Sequence, residues 1–373
     1  SNYTYQINVS SSTIRYNGSY GISAPYTYLD VSNNLFEGNA ADGIRISTTP
    51  YAVSLSGNQF LNNTGYAAYV NLSSGSTYAL AEPNTGSGNA KNGIALMGTI
   101  TQNTQLALQP MFPYILTASD LTVNSGATLT IPAGQVIKGD STGSELYING
   151  TLLSEGTAEN PIIFTSIKDD TVGGDTNNDG DASSPAPGDW GHIYIQSGAM
   201  GTLTHTDILY GGYWNYGAID VAGSAQLSLT SSNVAYSGSN GIFLHGNSGV
   251  TTILNISSST IEENTYDGIE TSSSSNYTYQ INVSSSTIRY NGGNGIQLSY
   301  HINSHINHNN IYGNADYGVY NGTSSNLLDA EDNWWGSNAG PNPYFGSANN
   351  GINYRTCYDS ITRSTYICEY YVD

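Results

Sequence analysis

Short stretches of this chain alternate between apolar and polar residues, and turns rich in Gly and Asn separate them. Examples are "YQINVSSSTI", "TTILNISSSTI" and "AQLSLTSSNV". Alternation with a period of two is typical of β-strands with one buried face, and no helical period persists beyond a few residues. The pattern therefore predicts an all-β protein built from many short strands.

A Gly followed by a small or apolar residue recurs after the Asn-rich turns. The spacing is 22 residues between Gly21 and Gly43 and 27 between Gly241 and Gly268. Such a repeat predicts a solenoid whose inward Ile, Leu and Val stack along the axis, with Asn side chains forming ladders at the turns. The anchors are Gly21-Ile22, Gly43-Ile44, Gly93-Ile94, Gly217-Ala218, Gly241-Ile242, Gly268-Ile269, Gly295-Ile296 and Gly318-Val319, and "TGYAAYV" near Ala67 fills one gap.

One stretch of eighteen residues, "SNYTYQINVSSSTIRYNG", occurs at 1–18 and again, unchanged, at 275–292. We interpret each copy as one coil of the solenoid, with Ile7, Val9 and Ile14 in the core. Because Arg15 and Arg289 occupy the same position in the two copies, one of them is not a unique active-site base.

Three stretches resemble the right-handed parallel β-helix repeat proteins, whose architecture pectate lyases share. Residues 116–166 resemble the start of such a helix in secreted archaeal and bacterial surface proteins. "GDTNNDGDASSPAPGDWGHIYI" (174–195) resembles an acidic insertion before the next coil, and "AEDNWWGSNAGPNP" (330–343) resembles a closing motif. The resemblance implies a right-handed parallel β-helix with coils of roughly 22–27 residues. It implies no single activity, because lyases, hydrolases, adhesins and passive stalks share this fold.

The order of these stretches predicts the domain organisation. We expect β-helix coils at 1–97, as the tail of a preceding module, and a bridging segment at 98–120. A main β-helix module at 121–345 carries the acidic insertion at 169–189, and 346–373 forms a C-terminal cap or tail. Because the chain begins in mid-pattern at Ser1, we expect a mature or partial product of a longer tandem array. Trp334 and Trp335, with Tyr344 and Phe345, are expected to plug the end of the helix.

The charge balance narrows the possible partners. The chain has 373 residues, with 8 Lys+Arg against 28 Asp+Glu and a net charge of -20. Nucleic acid and anionic membranes are disfavoured because phosphates attract Lys and Arg, and no apolar run is long enough for a membrane span. We expect cations, a neutral polysaccharide or further copies of this chain as partners.

Cysteines and glycosylation sequons point to an extracellular, cell-surface location. Cys357 and Cys368 are expected to form a disulfide that closes a C-terminal hairpin, although two free thiols remain an alternative. Ten Asn residues begin N-x-S/T triplets and are candidates for covalent glycans, although an Asn/Ser/Thr-rich chain also produces such triplets by chance. They are Asn2, Asn8, Asn17, Asn62, Asn71, Asn149, Asn255, Asn276, Asn282 and Asn321.

The acidic insertion contains "DTNNDGD", in which acidic and amide side chains fall at alternate positions and Gly180 stands where a Ca²⁺ loop needs a sharp turn. Ala186 replaces the final Glu of an EF-hand loop, so a solvated acidic turn is the alternative. We expect a structural calcium ion that pins the insertion. Its candidate ligands are Asp170, Asp175, Asn177, Asp179, Asp181 and Asp189.

Catalysis has less support in the sequence. Lys168 is the only basic residue close to an acidic cluster, and "IEENTYDGIE" places Glu262, Glu263, Asp267 and Glu270 on what we interpret as a solvated turn. The histidines of "HINSHINHNN", His301, His305 and His308, are expected at the coil surface in preference to a metal site. No cluster of acid, base and aromatic residues on one sheet is visible, and no catalytic residue is predicted.

The sequence therefore favours an extracellular structural protein that is not an enzyme. It would be a β-helix building block of a surface layer, stalk or filament, assembling head to tail with further copies of itself. The alternative is a carbohydrate-active or carbohydrate-binding β-helix, either a polysaccharide lyase, a hydrolase or an adhesin. A viral or phage fibre is a third interpretation of the same sequence.

Overall fold

The protein is a parallel β-solenoid of about eleven turns. The computed structural model describes residues 5–24, 27–46, 53–72, 78–79, 83–322, 328–336, 352–353, 356–359 and 364–367. Most coils contribute one strand to each of three sheets that run along the solenoid, and no helix occurs among the described residues. The predicted all-β solenoid is confirmed.

The three sheets are numbered in the order in which the chain visits them in one coil. Sheet 1 has two sections, Tyr5–Ser10, Thr27–Ser32, Val53–Ser56 and Tyr78–Ala79, then Thr104–Gln105, Thr128–Pro132, Thr151–Glu155, Met200–Thr204, Gln226–Thr230, Thr251–Ser257, Thr278–Ser284 and His305–Asn307. Sheet 2 contains Thr13–Arg15, Leu35–Glu37, Gln59–Leu61 and Thr85–Ser87, then Val136–Gly139, Ile162–Ser166, Thr206–Leu209, Asn233–Ala235, Thr260–Glu262, Thr287–Arg289 and Asn310–Tyr312. Sheet 3 contains Ile22–Ser23, Ile44–Ile46, Tyr66–Leu72, Lys91–Ile100, Tyr114–Val123, Leu146–Ile148, Ile193–Ile195, Ile219–Ala222, Ile242–His245, Ile269–Thr271, Ile296–Leu298, Val319–Asn321 and Ile352–Asn353.

The core is a stack of aliphatic side chains from equivalent positions of successive coils. Ile219, Ile242, Ile269 and Ile296 pair in register, and each is 0% exposed. The preceding residue is usually Gly, because a Cβ at Gly241 would lie 2.6 Å from the backbone oxygen of the next coil. The predicted anchor at Gly217 is one residue out of register, since Ile219 and not Ala218 pairs with Ile242.

The predicted asparagine ladders are present at the turns. Asn264 donates its side-chain amide to Asn291 Oδ1 at 2.8 Å, and Asn291 donates to Asn314 Oδ1 at 2.9 Å. All three are buried, and each amide also donates to, or accepts from, backbone groups of neighbouring coils. The ladder therefore satisfies polar groups that the turn would otherwise bury unpaired.

The two copies of the eighteen-residue stretch lie in different surroundings. Ile281 is 0% exposed between two coils, whereas Ile7, in the first described coil, is 38% exposed. The assignment of Ile7 to the core was therefore wrong in this structure, while Ile14 packs against the core only partly buried.

Parallel pairing continues through the predicted bridge. Tyr114–Val123 pairs with Lys91–Ile100 on one side and with strands of both sheet 2 and sheet 3 on the other. Residues 167–192, which include the predicted insertion, contain no strand and connect sheet 2 to sheet 3.

Near the C-terminus, Thr356–Asp359 and Ser364–Ile367 form an antiparallel pair that contains Cys357. Cys368 lies outside the described residues, so the disulfide remains a prediction. Trp335 is 2% exposed and joins the core, as expected of a plug, but Trp334 is 46% exposed. Tyr344 and Phe345 lie outside the described part of the chain. Among the described residues, no helix is long and apolar enough to cross a membrane.

Candidate functional site

Three of the six predicted calcium ligands come together in the acidic insertion. One carboxylate oxygen each from Asp170, Asp175 and Asp179 lies within 4.8 Å of the others. The carboxylate of Asp175 accepts hydrogen bonds from the backbone N–H groups of Asp179 and Gly180, at 3.1 and 3.0 Å, which shapes the turn. Gly180 has a φ of 62°, as the sharp turn requires.

The oxygen chemistry of this triad fits a hard cation. Asp170 Oδ1 and Asn177 Oδ1 are buried oxygen atoms that receive no hydrogen bond from the described part of the chain. Burial and the neighbouring Asp175 raise the pKa of Asp170, as expected where carboxylates are crowded together. A calcium ion bound here would relieve that repulsion.

Two predicted ligands do not join the triad. Asp189 is 2.7 Å from Lys168 Nζ and accepts a hydrogen bond from Ser166 Oγ at 2.8 Å. Its carboxylate therefore has partners outside the triad. Asp181 is exposed and is not part of the group.

Lys138 anchors the acidic insertion to sheet 2, a role that the sequence analysis did not predict. Its ammonium donates to the backbone oxygens of Asp169 and Gly174 at 2.7 and 2.8 Å, and its side chain is completely buried. Burial lowers the pKa of Lys138 to about 8, against the opposing effect of nearby carboxylates. Lys138 therefore ties strand Val136–Gly139 to both ends of the loop that leads into the triad.

The predicted histidine and glycosylation sites lie apart from the acidic triad. His301 is buried, while the exposed His305 and His308 face Asp329 at 2.7 Å and Asp332 at 3.4 Å, so no metal cluster of these histidines forms in the described part of the chain. None of the nine described sequon residues is buried, and Asn2 lies outside the described residues. Asn8, Asn17, Asn62 and Asn276 are exposed, and Asn71, Asn149, Asn255, Asn282 and Asn321 are partly exposed.

Sheet 3 carries a cluster that the sequence analysis missed. In each of its short strands the first and third side chains point inward and the middle one points outward, so the middle residues line up across coils. This row consists of Tyr147, Tyr194, Asp220, Phe243, Glu270 and Gln297. With neighbouring side chains it forms what we call the aromatic–acid patch: Glu145, Tyr147, His192, Tyr194, Tyr216, Asp220, Phe243, His245 and Glu270.

The rings of the patch contact one another. Tyr216 stacks on His192 with centroids 4.7 Å apart, and Tyr194 meets His192 edge-on at 5.6 Å. Tyr216 belongs to the loop 210–217, in which Trp214 is 77% and Tyr213 47% exposed. The patch thus continues into exposed aromatic rings.

A buried acid–histidine pair lies within the patch. His245 Nε2 is 2.7 Å from Asp220 Oδ1, and Asp220 is 0% exposed. Burial raises the pKa of Asp220 to about 6, although the contact with His245 acts in the opposite direction. The outward edge of the pair is His245, which is partly exposed.

Two further polar groups border this pair. Glu270 accepts hydrogen bonds from Asn240 Nδ2 at 2.7 Å and from Gln297 Nε2 at 3.0 Å. His192 is 2% exposed, and burial lowers its pKa to about 4, so it is neutral at pH 7. Its Nδ1 is 4.0 Å from Glu145 Oε1.

These surroundings correct the solvated-turn interpretation of "IEENTYDGIE". Asp267 is buried in a turn ladder, where it accepts a hydrogen bond from the backbone N–H of Asn294. Glu262 pairs with Arg289 at 2.7 Å, and Glu270 lies on strand Ile269–Thr271. Of these four acidic residues, only Glu263 is an exposed turn residue.

Exposed aromatic rings beside carboxylates and amides are the side chains that bind sugars: rings stack on the apolar faces of pyranoses, and carboxylates accept hydrogen bonds from hydroxyl groups. The expectation that no sheet carries clustered acid, base and aromatic residues was wrong. The sequence did contain a signal for this cluster, namely the middle residue of each "Ile-x-Ile"-like triplet when the triplets of successive coils are aligned.

Comparison with known proteins agrees with the architecture. The chain matches the family model described as a right-handed beta helix region over residues 1–157 and 187–334. The gap between the two matches, residues 158–186, contains most of the acidic insertion. Searches of curated proteins and of solved structures found no match. Because the matched segments cover well over half of a chain that folds as a parallel solenoid, the protein belongs to the right-handed β-helix family.

Proposed function

We propose that this chain is an extracellular β-helix protein that binds carbohydrate through the aromatic–acid patch and the loop 210–217. The observation that carries the proposal is the group of exposed rings on the loop 210–217: Trp214 is 77% and Tyr216 44% exposed, and Tyr216 stacks on His192 of the patch. A large ring left in water is costly unless it has a partner, and sugar faces are common partners of such rings.

We propose binding in preference to cleavage. Glycosidases need two accessible carboxyl groups on either side of a glycosidic bond. Asp220 is completely buried, and both oxygens of Glu270 already accept hydrogen bonds from neighbouring amides. These carboxylates are therefore arranged to hold side chains and hydroxyl groups in place.

The test is the affinity of the full chain for neutral oligosaccharides such as cello-oligosaccharides and N-acetylated chito-oligosaccharides, measured by isothermal titration. We expect Trp214→Ala to weaken binding at least about tenfold, since loss of one stacking ring removes on the order of 1.5 kcal/mol. Trp334→Ala is the matched control, because Trp334 is also exposed but lies beside Tyr312 of sheet 2. Unchanged affinity of the Trp214 variant would contradict the proposal.

A second candidate is a structural building block of a surface layer, stalk or filament. Its support is the uniform stacking of coils, in which equivalent strands pair in register from one coil to the next along a single axis. Electron microscopy at high protein concentration tests this role, and uniform single particles would contradict it.

Calcium at the triad and glycans on the accessible sequons complete the proposal. Both suit an extracellular protein, and the triad of Asp170, Asp175 and Asp179 would give the ion a structural role in fixing the insertion.

A further inference from the structure

The aromatic–acid patch has an excess of negative charge. Asp220, Glu270 and Glu145 lie in the patch, and Asp120 lies beside Glu145. Burial, with the neighbouring Glu145, raises the pKa of Asp120 to about 6, and burial does the same for Asp220. Burial therefore disfavours the charged forms of Asp120 and Asp220, which a nearby cation would stabilise.

No Lys or Arg among the described residues supplies that cation. Lys138 and Lys168 bind at the acidic insertion, and Arg289 pairs with Glu262. Arg45 pairs with Asp42, and Arg15 and Lys91 lie in coils before residue 100. Of the histidines, His192 is held neutral, and His245 is already paired with Asp220 at 2.7 Å.

Two buried polar atoms of the patch have no hydrogen-bond partner among the residues that the structure describes. They are Asp220 Oδ2, on a side chain that is 0% exposed, and His192 Nε2, on a side chain that is 2% exposed. An unpaired buried acceptor costs about 1–3 kcal/mol. The patch therefore retains unused hydrogen-bonding capacity beside its unbalanced charge.

The geometry suits an organic cation better than a metal ion. The only group of three acidic or histidine ligand atoms within 4.8 Å found among the described residues is the Asp170 triad, so the carboxylates of the patch are too dispersed to coordinate one ion. The exposed rings of Tyr213, Trp214 and Tyr216 can form cation–π contacts with ammonium groups. Without a nearby cation, the rings make no contact of this kind.

We infer that the aromatic–acid patch selects glycans that carry amino groups, such as glucosamine oligomers, over N-acetylated and uronic acid oligomers. This inference rests on the proposed carbohydrate binding and names the ligand class of the same site. The ammonium groups would meet Glu145 and Glu270, which are partly exposed, while the sugar rings stack on the loop 210–217. Uronic acids would place like charges against the same carboxylates, which is unfavourable.

The experiment compares three oligosaccharides of equal length with the full chain at low salt: glucosamine, N-acetylglucosamine and galacturonate hexamers. We expect the glucosamine hexamer to bind at least about tenfold more tightly than the acetylated one, with the difference shrinking as salt screens the charges. Glu145→Gln and Glu270→Gln should each reduce this preference several-fold, measured within each variant as the ratio of its affinities for the glucosamine and acetylated hexamers. Glu155→Gln, at an exposed position of sheet 1, is the control, and the thermal midpoint of each variant verifies folding.

The outcomes separate the inference from the proposed function. Equal binding of the glucosamine and acetylated hexamers, or tighter binding of galacturonate, overturns the inference and leaves carbohydrate binding intact. Failure of all three hexamers to bind overturns both. Loss of preference in the two patch variants but not in Glu155→Gln supports the inference.

Discussion

At the scale of single residues, the duplicated stretch separates the effect of sequence from the effect of surroundings. Ile7 and Ile281 have identical neighbours along the chain, yet one is 38% exposed and the other 0%. The difference arises because the side chain of Ile281 packs between coils on both sides. The stacking of coils, and not the local sequence, sets how far this side chain is buried and therefore how much it contributes to stability.

This pair gives a matched test. We expect Ile281→Ala to lower the free energy of unfolding by about 2–5 kcal/mol, because it leaves a cavity in a packed core, and Ile7→Ala by about 1 kcal/mol or less. Denaturant unfolding followed by circular dichroism measures both. Equal losses would show that the Ile7 side chain is covered in solution, as assembly with another copy would do.

His192 is a second residue whose environment fixes its chemistry. It packs among Tyr147, Tyr194 and Tyr216, with Glu145 at 4.0 Å and His245 nearby, and its pKa falls from 6.5 to about 4. Between these values the unfolded chain binds a proton that the folded chain does not. Stability contributed by neutral His192 is therefore present above pH 6.5 and is lost as pH falls toward 4.

We expect His192→Gln to reduce the loss of stability on acidification. The free energy of unfolding of the parent chain should fall by roughly 3 kcal/mol more than that of the variant between pH 7 and pH 4. The comparison between variant and parent removes the opposite effect of Asp120, Asp220 and Asp267, whose raised pKa values favour the folded state as pH falls. His308→Gln, at an exposed position, should behave like the parent chain. Identical pH profiles for all three proteins would contradict the buried environment of His192.

At the scale of elements, the acidic insertion is a long connection held at two places. Lys138 fastens it to sheet 2 through two backbone carbonyls, and the triad of Asp170, Asp175 and Asp179 gathers its negative charge. Repulsion within the triad opposes the folded loop, and a bound divalent cation would remove that repulsion.

Calcium is therefore expected to raise the thermal midpoint by a few degrees, since a ligand at about 100 times its dissociation constant adds about 2.7 kcal/mol. Asp175→Asn should abolish this increase. Asp181→Asn should retain it, because Asp181 lies outside the triad although it belongs to the same acidic motif. Differential scanning calorimetry with calcium or with a chelator measures the effect, and equal responses of the two variants would rule out the triad as the site.

At the scale of the whole molecule, each coil contacts its neighbours along a single axis. Strand pairing joins coils next to each other, and the asparagine ladders follow the same steps. Stability in such an array is approximately a sum of coil and interface contributions, so damage should stay local.

Hydrogen exchange tests this locality. In Ile281→Ala we expect faster amide exchange in residues 251–322, which include the stacked coils on both sides, and unchanged protection in residues 128–155. The physical reason is that neighbouring coils can open without separating distant ones. A uniform rise in exchange along the chain would instead indicate cooperative unfolding of the entire solenoid.

The sequence by itself determined the architecture, because the properties of a solenoid are local and repeated. Alternating polarity predicted strands, the Gly-Ile anchors predicted stacked coils, and Asn at the turns predicted ladders, each needing only neighbouring residues or one repeat length. The turn at Gly180 and the gathering of Asp175 and Asp179 were predictable for the same reason.

Only the tertiary structure decided which outward side chains meet. Tyr147 and Tyr194 are separated by the acidic insertion, yet they pair directly, because parallel stacking places equivalent positions about 4.8 Å apart whatever the length of the connection. The same stacking brought Asp220 against His245 and buried Lys138 beneath the insertion. The register across coils cannot be read from the composition of any one coil, and so the aromatic–acid patch emerged only when the coils were stacked.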